Sequence, residues 1–226
     1  MKVRFRRYCY DDRILIIVIP THLHEQLHMA LFSELLHKFS QMGLHRSYKS
    51  IAASRCKADW GRITGGDEGE GDSAMGPVPD RMGPREWPTL VIEAGYAESL
   101  AGLRHDMEWW FNTSNHQVKV VLLAKWHQPQ NHIQLEKWEE DQQGSRPGAT
   151  TTRSVARLVP VLRQTIDITE DATVSPPTYN VTRGALVLNF SLLFLRPPNI
   201  SQGEGDFVFT VEDLKWYAAF VFAQVQ

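Results

Sequence analysis

The stretch WPTLVIEAGYAESLAGLRHDMEWWFNTSNHQVKVVLLAKW, residues 87–126, decides the fold class. Pro88 to Ala94 is a short apolar run bounded by Pro and Gly, which predicts a buried strand. Ala97 to Asn112 then places Leu100, Leu103, Met107 and Trp110 at helical spacing, so one helix face is apolar. Gln117 to Trp126 returns to a continuous apolar run, the pattern of a second buried strand. Strand, helix and strand in this order predict a right-handed crossover between parallel neighbours.

Upstream, Arg13 to Pro20 is rich in Ile and predicts a further buried strand. Thr21 is placed to cap a helix running to about Met42, with Leu27, Leu31, Leu35 and Phe39 on one face and Gly43 as its stop. Residues 64–86 are dominated by Gly, Pro and acid and predict a long loop. Downstream, Ile133 to Trp138 predicts a short strand, and the polar tract Glu139 to Ser154 a connection. Strands are then expected at Gln164 to Ile168, Gly184 to Leu195 and Asp206 to Phe209. A last helix opens on Thr210 with Asp213 three residues on, the pattern of a capping box, and carries Leu214, Tyr217, Ala218 and Val221 as its stripe. The fold class is therefore α/β with mixed strand directions. A core over 1–140 is expected to carry a C-terminal β-rich and helical extension, 141–226, packed on it as one unit.

The 226 residues suffice for one substantial core. A formal net charge of −2 excludes the global basic field of a non-specific nucleic-acid binder and leaves room for a local basic groove. Two cysteines, Cys9 and Cys56, make neither a disulfide framework nor a cysteine zinc site. Asp11-Asp12 interrupts the apolar opening, and no run is long enough to span a bilayer, so an intracellular protein with no membrane partner is expected. The sequons at Asn112, Asn180, Asn189 and Asn199 then read as coincidence. The basic opening KVRFRR reads as a solvated terminus, and of Trp109-Trp110 one ring is expected in the core and the other at a surface. The oligomeric state stays open.

His24-Glu25-Gln26-Leu27-His28 spells H-E-x-x-H, in which residues four apart reach one metal from a helix face. The longer protease pattern would need Gly at 31 and His at 34, where Leu31 and Glu34 stand. The motif also lies at the start of the expected helix in a His-rich neighbourhood. A zinc hydrolase using His24, Glu25 and His28 is therefore the third reading, and zinc is disfavoured.

Glu93 is more informative, because an acid inside the run Leu90-Val91-Ile92 pays a desolvation penalty unless a cation or donor meets it. Asp72 in GDSAMGP and Asp80 in PVPDR offer further carboxylates, and several around one point would hold a hard divalent cation. Glu25, GDSAMGP, WPTLVIEAGYAESLAGLRHDMEWW, VKVVLLAKW and IQLEKWE, in this order, resemble a group of uncharacterised fungal proteins over roughly residues 13–140. Through them the chain resembles the restriction-endonuclease-like, PD-(D/E)-x-K, nuclease superfamily. The resemblance implies a restriction-endonuclease-like core, a mixed central sheet flanked by helices. It implies Asp72, Glu93 and Glu25 as ligands of Mg²⁺, with Mn²⁺ as a substitute, and DNA or RNA as the partner. Asp72 matches the motif better than Asp80. The chain departs from the pattern at Gly95, where the superfamily has its lysine. Arg104 is the first candidate to replace that charge and Lys119 the second. A non-catalytic interaction or nucleic-acid-binding module on the same fold is the alternative that this departure keeps open.

Overall fold

The computed structural model describes residues 3–51, 55–58, 66–84, 86–128, 131–143 and 157–224. Along the chain the elements are β1 (Arg4–Cys9), β2 (Ile14–Val18), α1 (His22–Gln41), β3 (Tyr48–Ser50), β4 (Cys56–Lys57), β5 (Glu68–Gly69), β6 (Ser73–Pro77), β7 (Leu90–Gly95), α2 (Leu100–Thr113), β8 (Val120–His127), β9 (His132–Gln142), β10 (Leu158–Asp171), β11 (Thr178–Thr182), β12 (Leu186–Leu188), α3 (Phe190–Phe194), β13 (Phe207–Phe209) and α4 (Val211–Phe222).

A seven-stranded sheet in the order β11-β10-β9-β8-β7-β6-β3 forms the centre. The β7-β8 pair is parallel and α2 connects it, as the opening stretch predicts. The other pairs in this sheet are antiparallel. The fold is thus the expected mixed α/β class, a mixed sheet flanked by helices. Strand alternation divides β7 between two cores. Leu90, Ile92 and Ala94 face α1 and α4, where Leu27, Leu31, Leu35, Phe39 and Tyr217 are buried. Val91 faces α2 with Leu103, Met107 and Trp110, and Glu93 shares that side.

The caps follow the sequence. The Thr21 side chain accepts from His24 N–H at the start of α1, and Thr210 and Asp213 make a capping box on α4. Gly43 ends α1 with φ +74°, a conformation that disfavours a side chain. The Tyr217 hydroxyl donates to the Leu27 carbonyl at 2.9 Å and ties α4 to α1.

Four expectations are corrected. The strand read at Arg13 to Pro20 exists as β2, but it is the exposed edge of a second sheet, β2-β1-β5-β4, with Leu15 60% exposed. The loop read over 64–86 contains β5 and the wholly buried β6; residues 64, 65 and 85 lie outside the described residues. Its glycines serve close packing: a Cβ on Gly69 would collide with the Trp109 ring, and one on Gly71 would lie 2.9 Å from Val91. The strand read over Gly184 to Leu195 breaks after β12, where Asn189 caps α3 by accepting from Leu192 N–H. The opening read as a solvated terminus becomes β1, whose Arg6 and Arg7 are buried among acids. The C-terminal strands β10 and β11 extend the central sheet beyond β9. Among the described residues no helix is long and apolar enough to cross a membrane.

Candidate active site

Four elements converge at the carboxyl end of β7. Each contributes for a local reason. β6 and β7 pair so that Ser73 meets Ile92, which sets Asp72 beside the end of the strand that carries Glu93. Asp72 Oδ2 accepts from the Ala94 N–H at 2.8 Å, locking the two chain segments together. β1 brings in Arg4, Arg6 and Arg7, and the first turns of α1 bring in His24, Glu25 and His28. From α2, Asp106 accepts from Arg6 Nε at 2.9 Å and also pairs with Arg7, while Trp110 Nε1 donates to Glu93 Oε1 at 2.5 Å.

The Arg6 guanidinium is the hub. It lies 3.4 Å from Glu93 Oε2, 3.2 Å from Glu98 Oε2 and 3.9 Å from Asp72 Oδ2. Burial works against its charge, but Glu93, Asp106, Asp72 and Glu98 outweigh that penalty and hold the proton more firmly than usual. Arg6, His24, Ala94, Tyr96 and Glu98 line a pocket of about 230 Å³, whose outer wall is Ile17 to Ile19.

The two key acids are driven apart. Burial pushes the Glu93 carboxyl well above its ordinary range, with Arg6 opposing and Asp72 and Asp106 assisting. Burial acts on Asp72 in the same direction, yet His24, Arg6 and His28 overcome it and hold this carboxyl well below the usual range. Among the described residues Glu93 Oε2 is buried without a hydrogen-bond donor. The two carboxyls are thus shifted in opposite directions, the pattern seen where two acids do different work.

The expected site residues fall into place unequally. Asp72 and Glu93 meet at Arg6. Glu25 stands at the rim, 3.9 Å from Arg4 and in contact with His24 and His28. Asp80 lies on an exposed turn after β6. Arg104 is not brought to the cluster: its Nε donates to Glu136 Oε2 at 3.0 Å and its Nη2 to Oε1 at 2.5 Å. Lys119 donates instead to the His116 carbonyl at 2.6 Å.

The charges that sequence reasoning missed are Arg6 and Lys125. Lys125 is the register partner of Gly95 on the parallel strand β8, so the two stand level in the sheet. Its Nζ donates to the Tyr96 carbonyl at 2.8 Å, and burial lowers its pKa while Glu98 opposes. The available signal was a lysine closing the apolar run VVLLAKW, the same kind of sign that marked Glu93. Trp109 and Trp110 are both buried, with Arg7 stacked 4.6 Å over Trp109. Burial pushes the Cys56 thiol up to about 12, the behaviour of an inert core cysteine.

No family model matches the chain, and none of the curated proteins matches it. Among solved structures it is similar to the crystal structure of a protein from Anabaena variabilis, proposed to be a nuclease belonging to DUF820. The TM-score is 0.44 and the identity 11%, over 94% of this chain and 90% of that one. At that distance no residue role passes from one chain to the other.

Proposed function

We propose that the Asp72-Glu93-Arg6 cluster is a phosphodiester-hydrolysing site acting on DNA or RNA, of the kind the PD-(D/E)-x-K resemblance implies. The observation that carries this reading is the pair of buried carboxylates, shifted in opposite directions and meeting one guanidinium that lines the neighbouring pocket. Asp72 and Glu93, with Glu25 at the rim, are the oxygen donors that would hold Mg²⁺ or Mn²⁺, and Glu93 Oε2, which accepts no hydrogen bond among the described residues, suits that role. A bound divalent ion supplies a Lewis acid and a more acidic water.

The chain's own residues do the rest. Arg6 neutralises the acids and fixes Glu93 opposite Asp72. Asp72, held ionised, serves as the permanent negative charge of the site. Lys125 takes the place beside Gly95 and presents a cation to a phosphate oxygen. Ile17 to Ile19 shield one wall of the pocket from water.

The test is cleavage of single- and double-stranded DNA and RNA with Mg²⁺ or Mn²⁺, comparing wild type with Glu93→Gln and Lys125→Met. Loss of cleavage in Glu93→Gln, and a fall of about 10²-fold or more in Lys125→Met, are expected. Equal activity in wild type and Glu93→Gln defeats the reading. A second reading, a non-catalytic nucleic-acid-binding module, draws on the number of acids already paired to Arg6. Binding without cleavage of any substrate would favour it.

A further inference from the structure

The histidines that begin α1 are unusual core residues. His24 is 6% and His28 2% exposed, yet His24 Nδ1, His24 Nε2 and His28 Nε2 are all buried without a hydrogen bond among the described residues. A buried imidazole nitrogen without a hydrogen bond carries a desolvation penalty. The Glu25 carboxylate lies between the two rings. One oxygen is 3.8 Å from His24 Nδ1 and the other 3.5 Å from His28 Nε2. One ligand atom from each of the three residues can be chosen so that all lie within 4.8 Å of one another. Four ligands placed tetrahedrally at about 2.1 Å from an ion would sit about 3.4 Å apart, close to the contacts seen.

The outward nitrogens also face oxygens. Ser73 Oγ is 2.8 Å from His28 Nδ1, and Asp72 Oδ2 is 3.4 Å from His24 Nε2. Metal-bound histidines commonly donate their second N–H to such an oxygen, which fixes the tautomer and turns the other nitrogen toward the ion. Two cations oppose the site: Arg4, 3.9 Å from Glu25 and 3.4 Å from Asp72, with its Nη2 held by the Gly71 carbonyl at 2.7 Å, and Arg6, 3.9 Å from Asp72. Glu25 and Asp72 balance them in charge.

We infer that His24 Nδ1, His28 Nε2 and the Glu25 carboxylate form a site for a borderline-soft divalent cation of the Zn²⁺ class, with Asp72 and Ser73 orienting the two imidazoles. Two imidazoles and one carboxylate select such an ion over Mg²⁺. The half-exposed Glu25 side leaves a coordination position open to water. In this arrangement Glu25 is a ligand, unlike the water-polarising Glu of an H-E-x-x-H protease. The site takes Glu25 for this ion, leaving Asp72 and Glu93 as the donors of the phosphodiester reading, and it stands whether or not that reading does.

The experiment is calorimetric titration of the chelator-treated full chain with ZnCl₂, followed by visible spectroscopy of the Co²⁺-loaded protein. One saturable Zn²⁺ per chain and intense tetrahedral Co²⁺ bands are expected. His28→Gln and His24→Asn should each weaken Zn²⁺ at least about 100-fold, with circular dichroism confirming that they fold. Asp72→Asn should weaken it by about 10- to 100-fold while one ion per chain still binds. Asp80→Asn is the control and should match wild type. No saturable uptake by wild type, or unchanged affinity in folded His28→Gln and His24→Asn, overturns the inference. Zn²⁺ binding in a protein that cuts no nucleic acid supports it and defeats the phosphodiester reading. Mg²⁺-dependent cleavage by a protein that takes up no Zn²⁺ does the reverse.

Discussion

Glu93 and Glu136 look alike at first. Both are 1% exposed, and each lies beside a tryptophan N–H and an arginine. Their wiring differs. Both Glu136 oxygens are occupied: Arg104 binds them in a fork, Trp138 Nε1 donates to Oε2 at 2.9 Å, and Gln134 reaches Oε1 at 3.4 Å. Glu93 has one donor on Oε1 and none on Oε2, and its arginine is shared with three other acids. A buried carboxylate with every lone pair answered is a strut. One left short of donors, with its arginine divided, has capacity to spare for a ligand. Burial alone does not tell them apart; donor accounting does.

The largest test of that contrast is Arg6→Met. Removing the hub strands Asp72, Glu93 and Asp106 without their shared cation, and stability should fall by about 3–5 kcal/mol in urea unfolding. Arg104→Ala should lower stability by only about 1–2 kcal/mol, because the half-exposed guanidinium leaves water a path to Glu136. It should leave Zn²⁺ uptake and nucleic-acid cleavage untouched. Equal losses in the two variants would erase the distinction between hub and strut.

The third test uses pH. Burial raises the folded-state pKa of Glu93 above its unfolded value of about 4.3. Its favourable contribution is therefore complete below that value and is lost as pH rises toward the folded pKa. Each unit of that rise corresponds to about 1.4 kcal/mol. Glu93→Gln should flatten the decline in Tm above about pH 4.3, read by thermal melts across pH; parallel profiles in the two proteins would contradict the assignment. The smallest effect belongs far from both glutamates. Leu15→Lys on the exposed edge of β2 should change stability by under about 0.5 kcal/mol.

Local chemistry made much of this legible. Thr21, Gly43, Thr210 and Asp213 announced helix ends, and the 87–126 stretch announced a parallel pair with its helix, because caps and periodicity act within a few residues. Glu93 was legible as a buried acid for the same reason. Its partners were not. Arg6 meets it only because a separate hairpin folds back over the sheet, and nothing in KVRFRR distinguishes an arm in water from a strand among acids. β6 was hidden because Gly69 and Gly71, which usually mark loops, are there to let the chain pass Trp109 and Val91. Arg104 was a fair candidate on spacing, and Glu136, 32 residues away in sequence, claimed it.

The hub also fixes an order of events. Arg6 and Asp106 are 100 residues apart, so during synthesis the arginine emerges long before the acid that accepts its strongest bonds. Until α2 has been made, β1 has neither of its α2 partners, Asp106 for its charge or Trp109 for Arg7 to stack on, and the bare Ile-rich β2 travels with it. The β1-β2 hairpin is thus made well before the contacts that settle it. For that interval the nascent chain carries an oily, cationic segment, exposed until its counter-ions arrive.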